Sequence, residues 1–305
     1  MQKFIARRLM ITVLTIFLVS LIVFVMARVS GDPRTLLLDD YATPEMYEEL
    51  GVSLGLDKPL YVQYAIFLKS AIVLDFGVSV VDGQSVTGTI VERFPATLQL
   101  GLAAFLFSLV VGIPLGILSS IKRDSFWDQV GKVVAILGQS MPPFWLGIML
   151  MFFFAVMLGW VPPSGRFEWN SFILPAITLG WFTVAANMRI VRSAMLDTLD
   201  TEYIKLARAK GVSEIGIIWK HALKNAVIPP LTFMGVTLGS LVTGSIIAET
   251  VFAWPGIGLL AFDALRQSDY ALLQGIVIFF TLMYLATSLA VDIIYAYIDP
   301  RIRYG

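Results

Sequence analysis

The sequence predicts an all-α integral membrane protein with six transmembrane helices. Three observations lead there. The chain of 305 residues is 57% hydrophobic and only 14% charged, with a mean hydropathy of +0.81, which is too apolar for a soluble globule of that length. Its apolar residues fall into six separate runs, and the polar intervals between those runs sort by charge. A net charge of zero makes nucleic acid an unsuitable partner, and the absence of cysteine removes disulfides and thiolate metal sites.

Residues 1–8 carry Lys3, Arg7 and Arg8 ahead of an uncharged run at 9–27. About 19 residues rising about 1.5 Å each nearly cross a hydrocarbon core of about 30 Å. The run is too long for a signal-peptide core and has no small-x-small cleavage site before Arg28, so it reads as a retained first span. Residues 31–95 are polar and mixed, with Gly-Asp-Pro at 31–33, a helical patch at 44–50 and Leu-Gly-Leu-Asp-Lys-Pro at 54–59. An amphipathic stretch at 61–74 suits the membrane surface or the helix bundle. Five more runs follow at 96–121, 133–161, 171–188, 226–248 and 271–290. The expected organisation is a tail and first span at 1–30, an insert at 31–95 and a five-helix core at 96–305.

Six spans put both termini on one side. If that side is cytoplasmic, the inside segments hold Lys3, Arg7, Arg8, Lys122, Arg123, Lys132, Arg189, Arg192, Lys205, Arg208, Lys210, Lys220, Lys224, Arg301 and Arg303, most of the 22 basic residues. The insert is acidic. The positive-inside rule therefore places both termini in the cytoplasm and the insert outside. Pro114, Pro142-Pro143 and Pro175 lie in or beside apolar runs and predict kinked spans, which suit a pathway that opens and closes. No internal repeat is visible, against a secondary transporter built from two matching halves. Arg28, Arg189, Arg192, Glu249 and Asp292 sit near predicted span ends and read as snorkelling residues, and Trp254 reads as an interface anchor.

Chemistry is sparse. His221 is the single histidine and has no partner at metal-ligand spacing, and neither His-Glu-x-x-His nor Gly-x-Ser-x-Gly occurs. A phosphate-binding loop is also missing, because Gly131-Lys132 lacks the upstream glycine at Phe126 and the hydroxyl at Val133. Energy for transport would have to reach this chain through a partner. The longest inside interval, 201–230, offers a place for one. Asp200 and Glu202 precede a helical stretch that ends on Arg208 and Lys210, Gly211 stops it, and a second amphipathic run spans 215–223 ahead of Pro229-Pro230. Tyr203, Ala207 and Gly211 recur at spacing four, one helix face with an aromatic anchor and two small residues where another backbone can come close. An interfacial helix that merely joins two spans would have the same pattern.

Here a resemblance becomes specific. Ala-Arg-Ala-Lys-Gly at 207–211, His-Ala-Leu-Lys-Asn-Ala at 221–226 and Pro229 resemble the coupling-helix motif of ABC-transporter permease subunits of the peptide and nickel import branch. Lys205 and Leu206 depart from the Glu-Ala-Ala form of other importers, a departure that branch shares. The 31–95 insert, Asp-Phe-Gly at 75–77, the run Glu249-Thr-Val-Phe-Ala-Trp-Pro-Gly-Ile-Gly258, Asp269-Tyr270, Val291-Asp292 and Asp-Pro-Arg-Ile-Arg at 299–303 extend it over nearly the whole chain. The resemblance implies a type I ABC importer permease fold with an extracytoplasmic insert after helix 1, in a bacterial inner membrane. It implies coupling helices at 200–224, with Tyr203, Ala207, Arg208, Lys210 and Gly211 seated on an ATPase. It further implies a second homologous permease, two cytoplasmic ATPase subunits that bind ATP and Mg, and an extracytoplasmic substrate-binding protein, with no cofactor in this chain. The expected cargo is a di- or oligopeptide, with nickel chelates, glutathione or another small solute as alternatives. An autonomous channel or a membrane scaffold would need a charged ring or the absence of an ATPase partner.

Overall fold

The structure is a computed structural model that describes residues 2–30, 34, 38, 42–53 and 55–298. Gly-Asp-Pro at 31–33, Leu54 and the segment 299–303 therefore lie outside the described residues. Among the described residues there is no strand, only an isolated antiparallel bridge between Val78 and Ser85. Four helices, Ala6–Val29, Val86–Ile121, Ile173–Leu199 and Tyr270–Ile294, are long and apolar enough to cross a membrane. Two bent pairs raise the number to six when each counts as one span: Phe126–Ser140 with Pro143–Met157, bent by 112°, and Glu214–Ala226 with Ile228–Val242, bent by 53°. The expected third span is thus broken where Pro142-Pro143 withdraws two backbone donors. Pro114 sits inside an unbroken helix and Pro175 near a helix start, so neither interrupts a span.

The described residues form two compact units, 1–97 with 255–305 and 98–254. In the first, α1 (Gln2–Ser30) packs along the terminal helix Tyr270–Ile298. Arg8 reaches Asp292 at 3.2 Å and Gln274 donates to the Val23 carbonyl at 3.3 Å. After α2 (Pro44–Ser53), α3 (Leu60–Ile72) lies on α1, where the Tyr64 ring meets Phe24 edge-on at 5.3 Å and its hydroxyl bonds Ser20 at 2.9 Å. The amphipathic stretch at 61–74 therefore sits on the bundle. The turn that follows is tied down by Asp269, whose carboxylate accepts from the Ser79 hydroxyl at 2.5 Å and from the Leu272 backbone at 3.1 Å, capping the terminal helix. Val86, Ile90, Ile257, Ala261, Leu272 and Ile276 form the apolar core beneath.

The second unit is built around one buried helix. It takes in the later turns of α4 (Val86–Ile121), then α5 (Phe126–Ser140), α6 (Pro143–Leu150, continued by a wide π-helical stretch to Met157) and α7 (Ile173–Leu199). After these come α8 (Glu202–Ala209), α9 (214–226), α10 (Ile228–Val242) and α11 (Ile246–Val251). The first unit closes with α12 (Ile257–Arg266) and α13 (Tyr270–Ile298). Along its most apolar stretch α7 is 61% buried, whereas α1 and α13 are only 11% buried, so α7 is the axis on which α5, α6 and α10 pack. Small residues let these backbones approach without a hydrophobic drive between them. At Gly101 a Cβ would stand 2.1 Å from the Leu241 carbonyl oxygen.

The tightest polar lock also closes on α7. Asp128, fully buried in the first turn of α5, accepts from Arg192 of α7 through both oxygens at 2.9 and 3.2 Å and from the Ser119 hydroxyl of α4 at 2.5 Å. Lys132 adds a contact at 3.0 Å and the Asp124 backbone donates at 3.1 Å. Arg192 is therefore an ion-pair residue and does not snorkel. Glu249 is likewise fully buried. Trp254 is 1% exposed and lies under the Arg166 guanidinium, 5.7 Å from its ring, so it is a core residue and not an interface anchor. Its placement follows from the turn at Ala253, which has φ of 46°, and from the Trp254 amide donating back to the Glu249 carbonyl at 2.8 Å.

Asp128→Ala removes the shared acceptor of Arg192, Lys132 and Ser119 and is expected to cost about 1–3 kcal/mol, the loss of charge-assisted hydrogen bonds to partners that still reach water. Asp128→Asn retains an acceptor and is expected to cost less; equal unfolding midpoints of wild type and Asp128→Ala in detergent would remove the lock. Gly101→Ala forces α4 from α10 and is expected to cost at least about 1–3 kcal/mol in the same measurement.

Candidate coupling site

The polar interval after α7 folds as a helix, a left-handed glycine turn and a second helix. Thr201 opens α8 in extended conformation, Glu202 supplies the acidic first turn and Arg208 the basic last turn. Gly211 has φ of 80°, a region in which a side chain is strained, and an added Cβ would meet nothing within 4 Å. Ser213 starts the second helix by accepting from the Gly216 amide at 3.3 Å. The second helix does not stop at 223: after a π-helical stretch, Ile217–Ala222, it runs on to Ala226 and meets α10 at the 53° bend ahead of Pro229-Pro230.

An apolar cluster seats this element on the spans. Ile204 of α8 and Ile217, Ala222 and Ala226 of α9 pack with Ile117 of α4 and Val191 and Met195 of α7, and all seven are buried. Because α7 carries both Arg192 and this cluster, the ion lock and the helix pair share one support. Polar ties hold the two short helices together. Asn225 donates to the Tyr203 hydroxyl at 2.9 Å and to the His221 carbonyl at 3.0 Å, and Arg208 grips Glu214 through two contacts at 2.9 and 3.3 Å. Hydrogen bonding to Glu214 raises the Arg208 pKa, and Glu202 at 2.8 Å raises that of Lys205, so each cation stays charged within its ion pair.

Tyr203, Ala207 and Gly211, which their spacing puts on one helix face, do not share one outward face. Tyr203, Arg208, Lys210 and Gly211 are exposed, whereas Ala207 is half-buried against the apolar cluster, because spacing four on a helix that ends at Ala209 cannot carry through to Gly211. Sequence reading missed the large apolar side chains that are exposed around them: Leu206, Ile215 and Trp219, at 56%, 72% and 61%. They fall on the α8 and α9 faces opposite the buried Ile204 and Ile217, and helical period alone would have found them.

A second feature lies deeper in the same unit. A cavity of about 450 Å³ opens where α5 breaks at Met141-Pro142 and where the chain between α10 and α11 passes Ser245. Two polar atoms there have no partner, the buried Thr178 hydroxyl and the Trp181 indole N–H, both on α7. Leaving such a group unpaired costs about 1–3 kcal/mol.

Comparison with known proteins accounts for this architecture. Residues 112–304 match the family described as binding-protein-dependent transport system inner membrane component, and residues 1–101 match its N-terminal region. The chain is 38% identical over 305 residues, covering 100% of both chains, to the glutathione transport system permease protein GsiC of Escherichia coli strain K12 and to that of Shigella flexneri serotype 5b. Among solved structures, an inward-facing MetNI methionine ABC transporter aligns with a TM-score of 0.59 at 21% identity, over 69% of this chain and 96% of that one. An amino acid ABC transporter aligns with a TM-score of 0.54 at 14% identity, over 70% and 94%. These last two share the fold. The chain belongs to the family of binding-protein-dependent transport system inner membrane components and is a permease subunit of an ABC importer.

Proposed function

We propose that the chain forms one half of the pathway of an ATP-driven importer for short peptides, glutathione included, and that α8 and α9 carry the force that opens it. The observation that carries this reading is the exposed helix pair seated by its buried face on α4 and α7. A groove on a cytoplasmic ATPase subunit would take the exposed Tyr203, Arg208, Lys210 and Gly211, with Ala207 packing the pair onto the spans. Leu206, Ile215 and Trp219 supply apolar anchors of the kind that dominate docking surfaces. Two such ATPases bind ATP and Mg, a second homologous permease completes the pathway, and an extracytoplasmic binding protein delivers the cargo. Both termini are cytoplasmic in this arrangement. Nucleotide-driven closure of the ATPases tilts α7 and shifts the population between inward-open and outward-open states. The full-length similarity to glutathione permeases favours a peptide cargo over a nickel chelate.

Gly211→Asp tests the docking assignment. Aspartate tolerates left-handed φ better than most residues, and its side chain enters open space, so the fold is retained while a carboxylate is placed where the ATPase would pack. Insertion and abundance are expected at wild-type levels with coupled uptake lost; normal uptake would remove the docking assignment. Purification through a C-terminal tag is expected to bring down a second permease and ATPase subunits, and recovery of this chain alone, with no ATPase activity, would favour a scaffold.

A further inference from the structure

Two spans of the second unit are interrupted at the same place. The α5–α6 break removes the backbone donors of Pro142 and Pro143, and the segment between α10 and α11 turns through Gly244, with φ of 81°, to Ser245. Both interruptions line the 450 Å³ cavity, a volume inside the range of about 300–1,000 Å³ that small-molecule sites occupy. Irregular backbone at membrane depth is tolerated where it is buried in protein or lines a water-filled cavity.

The side chains specify what would fill it. Thr178 is 3% exposed and its hydroxyl has no partner, and the Trp181 indole N–H, one turn along α7, has none either. Gln139 has its carbonyl oxygen occupied by Arg189 at 2.9 Å, which leaves its amide N–H₂ to donate. The Ser245 oxygen already accepts from the Ala248 amide at 3.2 Å, so its hydroxyl proton is also available. The lining carries no charged side chain: it offers these side-chain donors together with the Gly138 and Gln139 carbonyls, to which Pro142 and Pro143 have no N–H to give, between apolar walls at Leu146, Leu179 and Phe182. A lipid chain has no acceptor to offer these groups. A chain of carbonyl oxygens with small side chains between them does.

We infer that this cavity is a transit site for the backbone of a short peptide, with Thr178 and Trp181 as the groups that hydrogen-bond its carbonyl or carboxylate oxygens. The inference rests on the importer reading and deepens it, giving the permease a selecting role of its own. Trp181 supplies a donor on a rigid ring, Thr178 a donor that can also accept, and the opening beside the exposed Gln139 and Ser140 gives the peptide a way in and out.

The absence of cysteine from this chain makes the test direct. In the reconstituted complex with its binding protein and ATP, Ser245→Cys is labelled with a maleimide in the presence of trialanine or S-methylglutathione, with Gln84→Cys in the exposed turn at 82–84 as the reference. Labelling of Ser245→Cys is expected to slow at least threefold with peptide while Gln84→Cys is unaffected, and the protection is expected to disappear when Thr178→Val and Trp181→Phe are added. Uptake from subsaturating peptide is expected to fall roughly threefold to tenfold for either single variant, the worth of one hydrogen bond. If the Thr178→Val, Trp181→Phe complex does not assemble, protection of Ser245→Cys by peptide and not by octanoate serves as the deciding readout. Peptide uptake at full rate with no protection overturns the site and leaves the importer reading standing. Failure of the unmodified complex to take up either peptide overturns both.

Discussion

The second unit depends on one buried carboxylate. Asp128 is fully buried, yet it receives two contacts from Arg192, one from Lys132, one from Ser119 and one from the Asp124 backbone. Taking these charges from water is costly, and an apolar substitute of the same volume would often be as stable. What an ion cluster provides and an apolar contact does not is direction: the guanidinium fork meets both carboxylate oxygens in one geometry only. α4, α5 and α7 are therefore held in one register at the end of the bundle from which α8 leaves. Two turns of α7 beyond Arg192, the chain enters α8.

That register matters because the α8–α9 pair is too short to stand alone. Helix α8 has eight residues, well under the length at which an isolated helix holds in water. It is helical because Ile204 is buried among residues of α4, α7 and α9, and because the Arg208–Glu214 fork bridges the glycine turn. A push on the exposed side reaches Val191 and Met195 of α7 through packed side chains. Dense packing transmits displacement instead of absorbing it.

Much of this was legible in the sequence, and the reasons differ by element. Six spans could be counted because apolar runs and charged intervals are properties of the chain itself. The turn at Gly211 was readable because only a glycine accommodates that φ without strain. The fate of the prolines was not readable, since Pro114 and Pro142 look alike in sequence and differ in whether neighbouring backbone donors are doubly removed. Charges near span ends were also ambiguous. Arg192 near a span end reads as snorkelling because its partner, Asp128, lies 64 residues earlier. The Asp128–Lys132 spacing marks a helical pair but gives no sign of burial. Trp254 was placed at the membrane surface on residue preference alone, and the turn at Ala253 instead carries it into the core.

The same helix runs from the proposed docking site to the proposed cavity site. On one side of α7, Arg192 meets Asp128, and farther along Val191 and Met195 meet the coupling pair. Three to four turns toward its start, Thr178 and Trp181 belong to the lining of the cavity at the broken span. Between them Val184, Ala185 and Met188 are buried with 5% exposure or less, so no compliant segment separates the two ends. A continuous helix without an internal break moves as a rod. In the proposed arrangement a displacement of α8 would be carried along α7 to the cavity, where the facing helices α5 and α10 are interrupted. The rod is unbroken and the elements facing it are broken, which is the arrangement that turns a push at one end into a change of shape at the other.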